Sequence, residues 1–122
     1  MVSQLHKKEI EVSLFIAPSS AQVKASKKAG ADFVELHTGS YAEKKGKARE
    51  QELERLIRAS RLAHSIGWGV NAGHGLNLQN VKAMHRLPHL HELNIGHSIV
   101  SRALFVGLQE AVREMKVLLS CP

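Results

Sequence analysis

Residues 11–39 read EVSLFIAPSSAQVKASKKAGADFVELHTG, and this stretch decides the fold. EVSLFIA (11–17) is an apolar run rich in strand formers. Pro18, Ser19 and Ser20 supply a turn and a helix N-cap. AQVKASKKA follows as a short Ala/Lys helix that Gly30 stops. DFVELHT (32–38) is a second strand, with Gly39 behind it. Strand, helix and strand in close succession predict a parallel βαβ unit with a right-handed crossover.

The pattern continues toward the C-terminus. Residues 40–47 are polar and lysine-rich and read as a loop or mobile segment. From about Arg49 to Ile66, Leu53, Leu56, Ile57, Ser60 and Ala63 fall on one face of a helix, with Arg55, Arg58 and Arg61 elsewhere. GVNAG (69–73) is a third strand. Asn77 is placed to cap a short helix through Arg86, which Pro88 ends. HELNIG (91–96) is a fourth strand. A last helix is expected from about Ser98 to Leu119, its core stripe being Val100, Ala103, Leu104, Gly107, Leu108, Ala111, Met115 and Leu118. The fold class is therefore α/β, with four consecutive βα units in one partial domain over residues 1–122. That is either a small open sheet or half of a (β/α)8 barrel, and the 122 residues are half of the ~250 that a closed barrel usually needs.

Composition narrows the function classes. Hydrophobic residues make up 43% of the chain, which excludes compositional disorder. No run approaches the ~20 apolar residues of a membrane span, and MVSQLHKKEIEV lacks the apolar core of a signal peptide. A single cysteine, Cys121, cannot build a disulfide framework or a Cys-rich metal site. A soluble cytoplasmic protein without membrane partners is expected. The net charge of +6 sits beside only 4% aromatics, too few to stack on bases, so the basic runs read as solvated helix faces and nucleic acid is not expected. Anionic small molecules remain plausible partners.

The chemistry gathers at strand ends, the edge where parallel α/β enzymes place it. His37, His74 and His97 sit there, and the other histidines read as surface groups. His74 lies between Gly73 and Gly75, which allow a tight turn and close backbone approach. Its imidazole suits proton transfer near neutral pH. Gly96-His97-Ser98 opens into the last helix, whose free N–H groups favour an anion. Glu35, an acid in an apolar strand, is either a structural partner or a carboxylate for proton transfer. Glu92 reads as less suited, near the start of its strand. A faint repeat relates Glu35-Leu36-His37-Thr38-Gly39 to Glu92-Leu93-Asn94-Ile95-Gly96, and Asn71-Ala72-Gly73-His74-Gly75 to Asn94-Ile95-Gly96-His97-Ser98. Zinc on the strand-end imidazoles is disfavoured, since no HExxH or Cys pair is present and glycines flank two of them.

At VSLFI (12–16), GADFVELHTGSYA (30–42), VNAGHGLN (70–77) and ELNIGHSIVSRALFVGLQEAVREMK (92–116) the sequence resembles the pyridoxine 5′-phosphate synthases, in order and spacing. The resemblance covers only the C-terminal half of that family's (β/α)8 barrel. It implies the condensation of 3-amino-2-oxopropyl phosphate with 1-deoxy-D-xylulose 5-phosphate to pyridoxine 5′-phosphate, with no metal and no organic cofactor. By resemblance His74 is the proton donor and Glu35 stabilises a transition state. Gly75, Gly96 and His97 contact the aminooxopropyl phosphate, and His37 receives no role. Ala17 stands where the family commonly has an acid, and the family's two proton acceptors match nothing in this chain. A half barrel leaves strand edges uncovered, so self-association or a separate N-terminal half is expected. The alternative is a non-catalytic phosphate-ester-binding module or an inactive truncated fragment.

Overall fold

The computed structural model describes residues 1–120; Cys121 lies outside them. Four parallel strands form one sheet in the order β1-β2-β3-β4: β1 (Ser13–Ile16), β2 (Phe33–His37), β3 (Gly69–Gly73) and β4 (Leu90–Asn94). β1 and β2 fall inside the expected runs, β3 matches its run, and β4 starts one residue before the expected 91–96 and stops two short of its end. A short α1 (Val2–His6) precedes them, and α2 (Ser20–Ala29) joins β1 to β2. As expected, Ser19 caps α2, its side chain accepting from the Gln22 amide, and Gly30 ends the helix in the left-handed conformation.

The core lies between the sheet and its helices. Ile16, Val34, Leu36, Val70 and Ala72 point from the strands to one face and are buried there. Against them α4 (Gly46–Ser65) lays Leu53, Leu56, Ile57, Ser60 and Ala63, all buried as the stripe predicts. The alternate positions point to the other face. There Phe15 is 55% exposed, and Glu92 and Asn94 are open to solvent. Parallel sheets are normally covered on both faces, so this one presents an unusually bare and polar side.

Three expectations are corrected. The segment 40–47 is not all loop: α3 (Gly39–Glu43) forms within it and α4 starts at Gly46. Five residues are too few to show a period. The anchor is Tyr41, buried at the base of α3 and donating its hydroxyl to the Asn80 carbonyl at 2.7 Å. Asn77 does not cap an α-helix through Arg86. Its side-chain oxygen accepts from the Gln79 amide in a local turn, and a 3₁₀ helix runs from Val81 to Arg86.

The last helix is two, α5 (His97–Val106) and α6 (Leu108–Ser120). Gly107, at φ +83° and ψ 155°, adopts a backbone conformation that side chains oppose, and α6 turns to pack on α5. Arg102 and Glu114 join the two helices with a pair of hydrogen bonds at 2.8 and 2.9 Å. The expected core stripe is therefore split. Ala111 and Met115 are buried, but Val100, Leu104 and Leu108 are exposed, Leu104 at 83%.

Two predictions follow from these elements. Gly107→Ala places a side chain in the mirror-image extended region and should cost about 1–3 kcal/mol in a urea unfolding experiment; an unchanged midpoint would show that the break is not held by glycine. Glu52 is buried at 5% exposure between Lys44 and Arg55. The Lys44 ammonium above all, then the Arg55 guanidinium, holds its carboxyl below the usual 4.5. A folded value below the unfolded one stabilises fully above about pH 4.5 and less as pH falls through the lowered value. The stability difference between the wild type and Glu52→Gln should therefore shrink on acidification below that point.

Candidate active site

The register of the sheet builds the site. Phe15, Glu35, Asn71 and Glu92 stand side by side across the strands on the bare face, and His37, Gly73 and Asn94 form the next row toward the strand ends. Glu92 thus sits in mid-strand in the same row as Glu35, not at the strand's start; its carboxylate accepts from the Asn71 amide at 3.3 Å. In that row the side-chain oxygen Asn71 Oδ1 is buried without a partner.

Glycines in β3 let side chains of β2 lie across it. The Asn94 amide on β4 donates to Glu35 on β2 at 2.8 Å, over Gly73. A Cβ on Gly73 would stand 2.5 Å from the Asn94 carbonyl oxygen and 2.8 Å from Glu35 Oε1. At the other end of β3, the Phe33 ring fills the place of a Gly69 side chain and meets His91 of β4 at 5.5 Å between ring centres.

Beyond β3 the chain turns sharply. His74 has φ +87° and Gly75 φ +74°. Such a conformation at a residue with a side chain is strained by roughly 1–3 kcal/mol and persists only when its surroundings hold it. Thr38 holds this one: its hydroxyl lies 2.7 Å from the Gly73 carbonyl oxygen and 2.6 Å from that of His74. Gly75 in turn rests against α3, where a Cβ would come within 2.8 Å of Ala42.

Glu35, His74, Gly75, Gly96 and His97, the five residues to which the family resemblance gives a role, line one cavity of about 500 Å³, with Phe15 as part of its wall. His37 stands beside it, its ring stacked on that of His74 at 4.7 Å. Gly96 occupies the N-cap position of α5 with no side-chain cap, and Gly96, His97 and Ser98 at that helix start line the cavity. Sequence reasoning missed Phe15, Asn94 and Thr38. Asn94 carried a signal, since the repeat places it where the other copy has His37; Phe15 carried none, and Thr38 none beyond its strand-end position. Among the described residues no three His, Cys, Asp or Glu side chains group as a metal shell would, and no helix is long and apolar enough to cross a membrane.

Parallel strands joined by helices, with polar groups gathered toward their C-terminal ends, define an α/β protein whose candidate site lies at the edge where this architecture places ligands. The family model described as pyridoxal phosphate biosynthesis protein PdxJ matches residues 1–121, and the chain belongs to that family. A relative from Akkermansia muciniphila named pyridoxine 5′-phosphate synthase is 58% identical over 108 residues, covering 88% of this chain and 44% of its own length. One of the same name from Prochlorococcus marinus subsp. pastoris is 56% identical over 119 residues, 98% of this chain and 50% of its own. The chain thus spans about half the length of the curated relatives it matches. Among solved structures, a chain of the Amycolatopsis orientalis BexX/CysO complex superposes with a TM-score of 0.56 at 18% identity, over 98% of this chain and 48% of that one. It shows a shared fold.

Gly73→Ala tests the crossing at β3. Because the nearest obstacle is a backbone oxygen that cannot swing aside, the variant should lose about 1–3 kcal/mol of stability and the Asn94 side-chain amide should lose its hydrogen-bonded NMR shift. Retention of both would show that Glu35 is held otherwise.

Proposed function

We propose that this chain is the half of a pyridoxine 5′-phosphate synthase that holds the aminooxopropyl phosphate and supplies the proton donor. The reaction is the condensation of 3-amino-2-oxopropyl phosphate with 1-deoxy-D-xylulose 5-phosphate to pyridoxine 5′-phosphate, phosphate and water, a transferase step of cytoplasmic vitamin B6 biosynthesis. The observation that carries the reading is the convergence of Glu35, His74, Gly75, Gly96 and His97 on one cavity.

Each residue has a task that its surroundings suit. The first turn of α5 contains no acid, so its N–H groups and positive dipole end suit a phosphate dianion seated between Gly96, His97 and Gly75. Neither glycine has a side chain to hold the phosphate away. His74 stands at the cavity's rim on a backbone held by Thr38, placed to donate a proton to the departing oxygen. Glu35, oriented by the Asn94 amide, is placed to stabilise positive charge that develops on the substrate in the transition state.

The four βα units are then one half of a (β/α)8 barrel. In support, the strands run parallel and in sequence order, and the curated relatives are about twice as long. The bare face, the two free sheet edges, and the exposed Leu104 and Phe105 of α5 are the surfaces that a second half or another copy would cover. The family's proton acceptors would come from that half. The residues proposed to cradle the phosphate, Gly75, Gly96 and His97, by contrast all belong to this chain and line one cavity, which supports one second reading: a module that binds phosphate esters without turning them over.

The test is an assay for pyridoxine 5′-phosphate with both substrates, on the chain alone and with the remaining half of a family member added. Turnover in the completed form, reduced about 100-fold or more by His74→Ala with the fold intact, is the expected result. Near-normal turnover in that variant would remove His74 from its role. Binding of phosphate esters with no turnover in either form would favour the second reading.

A further inference from the structure

No role above falls to His37 or Gly39, yet both, like Thr38 between them, bear on His74. His74 is exposed and sits on a left-handed backbone between two glycines. A side chain so placed has little of its own loop to fix it. The neighbouring strand supplies what the loop lacks. The His37 ring stacks on the His74 ring with centres 4.7 Å apart and planes 26° from parallel. Phe15, one strand further, closes on His37 edge-on at 5.1 Å and lies 6.5 Å from His74. The Thr38 hydroxyl reaches the His74 carbonyl. Gly39 makes room: a Cβ there would stand 2.4 Å from Cε1 and 3.0 Å from Nε2 of His37, so a side chain at 39 would push the ring out of its stack.

We propose that His37 is a positioning residue for His74, holding the imidazole in one pose by stacking while Thr38 fixes the backbone beneath it. The proposal rests on the reading of His74 as the proton donor. Its physical content is orientational. A proton donor acts only when its nitrogen lies within hydrogen-bond reach of the reacting atom, and an imidazole turning freely about χ1 spends much of its time elsewhere. Flat contact on one side and the cavity on the other leave it one outlook. The role requires a flat ring at 37, not a titrating one.

Two measurements test this. In NMR spectra of this chain, with His74 assigned by its loss in His74→Gln, the wild type should show cross-peaks between the two imidazoles and a single set of χ1 couplings for His74. His37→Ala should abolish the cross-peaks, shift the His74 ring protons and average the couplings. His37→Phe should keep the couplings of the wild type. Gly39→Ala should reproduce the His37→Ala couplings with both histidines present, which guards against a variant that merely fails to fold. In the completed enzyme, His37→Ala should lower kcat about 10- to 100-fold with KM nearly unchanged, and His37→Phe should restore most of the loss. Averaged couplings in the wild type, unchanged couplings in His37→Ala, or a His37→Phe variant no better than His37→Ala would each overturn the proposal. Absence of turnover in the completed wild type would instead count against His74 as proton donor; the spectra would still decide whether His37 sets its pose.

Discussion

Parallel pairing of β2, β3 and β4 puts Gly73 between His37 and Asn94, and the site depends on that placement. A side chain at 73 would occupy the space through which Glu35 reaches the Asn94 amide. The same glycine carbonyl accepts from both the amide and the hydroxyl of Thr38, so the turn that delivers His74 is fastened at the point where β3 ends. Because side chains alternate along a strand, a slip of one residue in β3 would move Gly73 to the helix-covered face and put Ala72 or His74 in its place. Register, carboxylate and turn therefore stand or fall together.

Much of the fold was legible because it rests on local patterns. The strands are short apolar runs bounded by Gly, Pro and Ser, and α4 shows its stripe over twenty residues. What was not legible rests on single residues meeting distant ones. Tyr41 fastens α3 to the distant Asn80, a contact that no period in five residues announces. Gly107 lies at the right spacing to continue a stripe, so its composition argued for one long helix, whereas its φ of +83° ends it. The apolar residues of α5 show the limit of pattern reading most clearly. Helical spacing says that they share a face, but not what that face meets.

The site was legible to a different degree. Strand ends, glycines and histidines mark where chemistry gathers, and His74, Gly75, Gly96 and His97 among them share a cavity with Glu35, while His37 stands beside it. Their supports were hidden. Asn94, Thr38 and Phe15 act through pairings between strands, which require the register; no linear spacing relates residue 35 to residue 94. The internal repeat came nearest, since it aligned Asn94 with His37, and the two indeed flank Gly73 in one row.

The glycines at both ends of β3 have a mechanical consequence. A parallel sheet is ordinarily a ladder in which each strand holds only its neighbours. Here β2 and β4, which are not neighbours, touch over the top of β3 twice: Phe33 meets His91 above Gly69, and Glu35 meets Asn94 above Gly73. These two ties brace the ladder into a truss. Because β4 leads directly into Gly96 and His97, the two walls of the cavity are linked by a direct side-chain contact as well as through the strand between them.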